Sequence, residues 1–303
     1  MKQGTKTLIV ITGPTGSGKT SLAIGLARRL GCEIISADSR QMFHDIPIGT
    51  AAPSAAELAA VKHHFVGNLQ LTDYYSAAQF EHDVLALLPS LWQQGDYAIM
   101  CGGSMMYIDA VTRGIDELPT ISPDVRARAM AIYDTGGTEA LRRTLADMDP
   151  DYYAQVDRNN HKRLVHAIEI CMEAGVPYST LRTGRSKRRD FRILKYALDF
   201  SREELFDRIN RRVDAMIDAG MTDEARRVYP MRHLNSLNTV GYKELFAAFD
   251  GHMDMATAIA RIAKNTRVYA KKQLTWLKRD RDVRLLSPTT ALADIITDLS
   301  LAR

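Results

Sequence analysis

The sequence predicts an α/β fold, a parallel sheet flanked by helices and interrupted by a helical insertion. Three observations point there. Short β-branched runs alternate with amphipathic helical stretches, glycines punctuate the joins, and after Gly114 the texture shifts to charged helical patterns before strand character returns at Ile193. With 303 residues, 46% apolar and 25% charged, the composition is that of a globular protein able to bury a large core.

Taken in order, Leu8 to Ile11 is a buried strand, too short for a signal sequence or a membrane span. Gly13 to Gly18 is a loop, Lys19 to Leu30 a helix stopped by Gly31, Glu33 to Ser36 a second strand and Tyr97 to Met100 a third. Pro119 and Pro123 then interrupt, helical patterns run from Asp124 to about Glu173, and a basic stretch spans Arg182 to Arg192. A strand at Ile193 to Phe200 and two long helices, Ser201 to Ala219 and Met255 to Lys278, return to the core. This organisation predicts one core domain from residues 1–114 and 193–303 and an insertion at 115–192. Cys32, Cys101 and Cys171 are far apart, odd in number and outside any metal-ligand spacing, which suits reduced thiols in the cytoplasm and no disulfide scaffold. A formal charge of +4 is compatible with a polyanionic partner without demanding one.

The segment Gly13-Pro14-Thr15-Gly16-Ser17-Gly18-Lys19-Thr20 follows a strand and opens a helix, and so reads as a P-loop within a P-loop NTPase-like core. Its glycines let backbone N–H groups converge on phosphate oxygens, Lys19 adds a cation, and the Thr20 hydroxyl is placed to ligate Mg²⁺. Such a loop announces a phosphorylated ligand but no particular reaction. The strand that would carry a Walker-B acid runs instead into Cys101-Gly102-Gly103-Ser104. The acidic group stands after the second strand, at Asp38, where strand ends line a common crevice; a general base and a structural Asx turn are both open readings.

Further along, a capping box of Ser201 and Glu204 opens a helix whose apolar stripe is Leu205, Ile209, Val213 and Met216. Arg212 lies at the margin of that stripe, where a guanidinium needs either an anionic ligand or an internal ion pair. In the last long helix Lys264, Arg267, Lys271 and Lys278 form a basic stripe, and Ile259, Ile262, Tyr269 and Leu277 a separate apolar face. The stripe suits a solvated surface or, with Gln273, Thr275 and Trp276 interleaved, an RNA contact. Arg182, Arg185, Lys187, Arg188, Arg189 and Arg192 make a second basic cluster. The pair His63-His64 lacks a third ligand and is expected to be structural.

Several motifs in order resemble the tRNA dimethylallyltransferase (isopentenyl-diphosphate:tRNA transferase) family: the P-loop, Asp38-Ser39-Arg40-Gln41, Ile48 to Pro53, Gly102 to Tyr107, Arg208 to Val213, Val240 to Glu244, and Thr266 to Lys278. Departures are mild, with Ser104 for Thr, Phe43 for Tyr, Ala52 for Lys and Asn238 for Arg. The resemblance implies transfer of the dimethylallyl group of dimethylallyl diphosphate to the exocyclic amine of the adenosine 3′ of the anticodon, in tRNAs reading codons that start with U. Diphosphate leaves, no nucleoside triphosphate is consumed, and the missing Walker-B acid becomes intelligible. It further implies Mg²⁺ as cofactor and the tRNA anticodon stem-loop as partner; no membrane association and a monomer are expected.

By the same resemblance Asp38, Thr20 and Arg212 are catalytic, residues 13–20 bind the diphosphate, and Thr20 reaches the metal. The implied tRNA contacts begin with Asp38, Ser39, Arg40 and Gln41 and include Ser104. They continue in the insertion with Arg126, Lys162, Arg163, Leu164, Val165 and His166. Near the end of the chain they comprise Asn238, Gly241, Tyr242, Lys243, Lys271, Lys272, Gln273 and Lys278. A P-loop small-molecule kinase, a prenyltransferase acting on free adenine nucleotides and a noncatalytic RNA-binding module are the alternatives.

Overall fold

The computed structural model describes residues 6–184 and 186–301. The chain forms two compact units, one of residues up to Thr112 and from Arg189 onward, the other Arg113–Arg188. The first holds a sheet of six parallel strands: β1 (Thr7–Thr12), β2 (Ile34–Ser36), β3 (His63–His64), β4 (Tyr97–Gly102), β5 (Arg192–Leu198) and β6 (Val283–Leu286). Their order across the sheet is β3-β2-β4-β1-β5-β6. Helices α1 (Lys19–Leu30), α2 (Ala55–Ala60), α3 (Ala77–Leu91) and α4 (Met105–Arg113) follow the early strands. In the second unit come α5 (Pro123–Met148), α6 (Pro150–Gln155), α7 (His161–Ala174) and α8 (Tyr178–Leu181). The chain returns with α9 (Arg202–Asp218), α10 (Met221–Val228), α11 (Tyr242–Phe249), α12 (Met255–Leu277) and α13 (Ala291–Leu301). No described helix is long and apolar enough to cross a membrane.

Strand β1 is buried along its whole length because both sheet faces are covered, which is why it reads as a continuous apolar run. Successive side chains nevertheless face opposite ways. Ile9 and Ile11 enter a core with Leu26 of α1 and Ile295 of α13, while Leu8 and Val10 join Phe80 and Val84 of α3 and Ile108 of α4. A third core gathers Val213 of α9, Met221 of α10, Tyr242 and Leu245 of α11 and Ile262 of α12. The expected capping box opens α9, with Ser201 and Glu204 bonded reciprocally. The second unit has its own core, in which Ala129, Leu141 and Leu145 of α5 meet Leu164 and Ile168 of α7.

Two sequence readings shift here. The core unit resumes before residue 193: Arg189 donates through one guanidinium nitrogen to Glu81 Oε1 at 2.6 Å and to the Ala110 carbonyl, and through another to the Val111 carbonyl, with both charged side chains nearly buried. Arg189 is therefore held within the core unit and does not belong to a free basic patch. Of that cluster, Arg182 stacks over Tyr152, Lys187 pairs with Glu117, and Arg185 lies outside the described residues. At the sheet edge His64 Nε2 and Glu33 Oε2 are 2.6 Å apart, and His63 Nδ1 lies 2.8 Å from the Val61 carbonyl. Glu33 itself precedes β2.

Candidate active site

Because β1, β2 and β4 are parallel neighbours, the loops at their carboxyl ends converge. After β1 the chain turns through Gly13, Gly16 and Gly18 at φ of 138°, 82° and 86°, left-handed conformations that a side chain would strain. The loop is braced by α9: a Cβ at Gly16 would stand 3.0 Å from Ile209 Cγ1, and Arg208 Nε donates to the Gly16 carbonyl at 2.7 Å. Ser17 Oγ is buried with no hydrogen-bond partner among the described residues. Lys19 begins α1 with its Nζ 3.4 Å from the Pro14 carbonyl. Burial lowers its pKa; Cys101 opposes that shift, Arg212 adds to it and Asp38 opposes it. An ammonium in such a place favours an anion beside it.

The loop faces two cavities. One, of about 480 Å³, is lined by Gly16, Gly18, Lys19, Thr20, Ala51, Ala52, Pro53 and Glu57 with Arg208, Arg211 and Arg212 of α9. Lys19 and the three arginines outnumber its single carboxylate, Glu57, which is engaged in a capping box with Ser54, so the lining is net cationic. The other, of about 560 Å³, holds Asp38, Arg40, Ser104, Asn238, Lys243, Tyr269 and Lys272 among its polar lining, and Ile209, Val213, Met216 and Ile262 as an apolar wall. Lys19, Thr20, Ala51 and Arg212 belong to both. Ala51 takes a left-handed φ of 46°, which turns the chain at this shared border.

Asp38 makes the Asx turn and also faces a cavity. Its Oδ1 accepts from Arg40 N at 3.1 Å, an Asx turn, while the carboxylate lines the second cavity within electrostatic reach of Lys19 and Arg212. Ser104 steadies this corner, its Oγ accepting from Ser39 N at 2.8 Å and donating to Ser39 Oγ. Gly102 permits the close approach of β4 to β2, since a Cβ there would stand 2.1 Å from the Ala37 carbonyl oxygen. Gln41 Nε2 donates to the Thr50 and Ala51 carbonyls and so fixes the border turn. Arg212 has no hydrogen bond or ion pair with the described residues; burial lowers its pKa and Asp38 opposes the shift. An internal ion pair is thus not what holds it. Cys101, at the floor, is pushed up to about 12 by burial and stays a neutral thiol, which removes it as a nucleophile at neutral pH.

The structure separates the expected RNA contacts into two groups. Lys162, Arg163 and His166 of α7, Asn238, Lys243, Lys271, Lys272 and Lys278 are exposed, and Arg126 is half exposed although 3.7 Å from Glu169. Leu164, Val165, Gly241, Tyr242 and Gln273, by contrast, are buried. Leu164 and Val165 pack in the second unit's core. Tyr242 donates to the buried Glu224 at 2.5 Å, and Glu224 also accepts from Ile48 N and Gly49 N, so this tyrosine locks the border turn from behind. Gly241 has φ 102° and Met221 against it. Gln273 accepts from Thr15 N and donates to the Gly103 carbonyl. Trp276 donates to Asp109 and packs in the core, and Arg267 donates to Asn210, so neither is a free surface group. Tyr269 is corrected the other way: it is 38% exposed and lines the second cavity. Arg208 and Arg211 were missed, although a spacing of four puts Arg208 on the same helical face as Arg212.

The family model for IPP transferases matches residues 41–280. The chain belongs to this family. It is 52% identical to tRNA dimethylallyltransferase 2 of Parabacteroides distasonis over 97% of its length and 98% of that protein's. It is 53% identical to tRNA dimethylallyltransferase 1 of Phocaeicola vulgatus, with 93% and 94% covered. Among solved structures it is similar to the tRNA isopentenylpyrophosphate transferase of Bacillus halodurans, at 31% identity and a TM-score of 0.71 over 98% of this chain and 96% of that one. A eukaryotic dimethylallyltransferase captured acting on tRNA gives a TM-score of 0.78 at 25% identity, covering 93% of this chain and 74% of that one.

Proposed function

We propose that this chain transfers the dimethylallyl group of dimethylallyl diphosphate to the exocyclic amine of the adenosine 3′ of the anticodon, in tRNAs reading codons that start with U, and releases diphosphate. One observation carries the reading: a cationic cavity and a cavity holding Asp38 meet at Lys19, Thr20 and Arg212. Membership of a family whose relatives are named for this reaction supports it.

In this reading the diphosphate occupies the P-loop side, where loop amides, Lys19 and Arg212 stabilise the charge that develops as the allylic carbon–oxygen bond breaks. The apolar wall of Ile209, Val213 and Met216 receives the five-carbon chain. The adenine, extruded from the anticodon loop, enters past Ser104 and Asn238. Its amine nitrogen forms the new bond to carbon, and its proton passes to Asp38. The amine is so weakly acidic that a carboxylate cannot take the proton first, so the transfer follows the start of bond formation.

A divalent metal fits the donor set. Thr20 borders both cavities, where its hydroxyl together with substrate phosphates would hold Mg²⁺. When bound it would neutralise charge on the departing diphosphate. The kinase alternative needs an acid where β4 ends in Cys101 and Gly102. The exposed cations of α7 and α12 are surplus to a free-nucleotide substrate and support tRNA as the acceptor.

The test is to incubate the protein with labelled dimethylallyl diphosphate, Mg²⁺ and total tRNA and to locate the label. Label on the adenosine 3′ of the anticodon is expected, and label on free nucleotides only would defeat the assignment. Asp38→Ala should slow transfer by about 10²–10⁴ with inorganic diphosphate affinity little changed. Unaltered turnover would remove Asp38 as the base.

A further inference from the structure

Gln273 sits on α12, far along the chain from the P-loop, yet it is 4% exposed and bonded on both sides of the site. Its Oε1 accepts from Thr15 N at 2.9 Å and its Nε2 donates to the Gly103 carbonyl at 2.8 Å. The partners fix the amide's orientation, because a backbone N–H must meet the oxygen and a carbonyl must meet the nitrogen. The glutamine amide supplies a donor and an acceptor from one planar end without any change of protonation. Gly103 has no side chain to spare here: a Cβ would stand 2.3 Å from Gln273 Nε2.

The bonds continue toward Asp38. The residue after Gly103 is Ser104, whose Oγ accepts from Ser39 N, next to Asp38. Thr15, Gln273, Gly103, Ser104 and Ser39 thus form a connected path from the phosphate loop to the acid. Thr15 N–H is also withdrawn from phosphate binding, since its hydrogen is already used. We infer that Gln273 is a positioning residue for the transfer: it keeps the diphosphate cradle and the Asp38 corner in one fixed frame, touching neither reacting group itself. This rests on the proposed reaction. Misplacement of about 1 Å between reacting groups costs roughly 10²-fold in rate, so a single amide holding two loops together has large leverage.

The experiment measures single-turnover transfer at saturating dimethylallyl diphosphate and tRNA for the full chain and for Gln273→Met, which keeps the side chain's length and removes both hydrogen bonds. The expected result is a rate about 10–100-fold lower, with KM for each substrate within a few-fold of wild type. A double-mutant cycle with Ser104→Ala distinguishes positioning from general damage. Residues acting through one path lose less together than the product of their separate losses. A Gln273→Met rate equal to wild type, or losses that simply multiply, would overturn the inference. Should Gln273→Met fail to fold, Gln273→Glu serves in the same cycle, since it keeps the acceptor for Thr15 N and loses the donor to Gly103. If wild type itself transfers nothing to tRNA, the proposed reaction fails; if wild type transfers and the cycle is multiplicative, only the role of Gln273 does.

Discussion

Replacing Arg212 with methionine should move catalysis and stability in different directions. The guanidinium lies on α9 where both cavities meet, and no hydrogen bond or ion pair holds it to the described protein. Burial disfavours its charge, and Asp38 compensates electrostatically. A cation kept there raises the free energy of the empty protein and is offset when a diphosphate arrives. Losing one preorganised donor from a developing anion costs roughly 3 kcal/mol of transition-state stabilisation, about a hundredfold in rate. Methionine retains an apolar side chain of similar length at this position while removing the desolvated charge. The folded state should therefore hold or gain stability, as buried charges replaced by apolar groups of similar volume often do. Single-turnover transfer measures the first effect and a urea titration the second. Arg212→Lys should fall between, since it keeps charge but loses the planar fork. A lowered urea midpoint, with the folded fraction turning over at the wild-type rate, would make Arg212 a structural arginine and refute this reasoning.

Three other outcomes follow from named contacts. Tyr242→Phe removes a hydrogen-bond donor from the buried Glu224 carboxylate and should destabilise the protein by about 1–3 kcal/mol in urea, with tRNA affinity for the folded protein unchanged; a weakened tRNA affinity at full stability would restore Tyr242 as an RNA contact. Changing the exposed Lys264, Lys271, Lys272 and Lys278 to Gln together should reduce the log–log salt slope of tRNA binding by up to about 0.7 per lost phosphate contact, leaving inorganic diphosphate affinity intact; an unchanged slope would mark a merely solvated face. The third is a pH profile. Burial lowers the pKa of Lys19 in the free protein, and a bound diphosphate raises it, so affinity is full below the free-protein pKa and declines as pH rises from there toward the bound value. Inorganic diphosphate binding should weaken on the alkaline side before an ordinary lysine would titrate, and affinity flat to that point would contradict the burial of Lys19.

The framework of the core was legible because local chemistry determines it. Lys19–Leu30 has its predicted ends since Gly18 and Gly31 take left-handed conformations there, and the stripe of Leu205, Ile209 and Val213 is buried as a helical period requires. The P-loop and Asp38 converge because parallel strands put their carboxyl ends on one side of the sheet, a consequence of topology that alternation of strands and helices already implies.

What periodicity leaves open is which partner meets a side chain once the helix is docked. Gln273 and Lys272 are adjacent residues of α12 that both border the cavity, yet one is buried and bonded to Thr15 and Gly103 and the other is exposed. The difference arises from backbone groups more than 150 positions away in the chain, which no window of sequence contains. Tyr242 and Lys243 repeat the case, the tyrosine closing on Glu224 while the lysine faces the cavity. In both pairs a motif carries one residue that shapes the site beside one that is open to a ligand. The same division accounts for Tyr269, whose spacing fits an apolar face but whose ring borders the cavity because α12 turns that side toward Asp38 and Arg40. Shape-setting residues are therefore best tested by how their losses combine, and contact residues by how affinity changes, since a drop in activity alone cannot tell a displaced loop from a missing ligand contact.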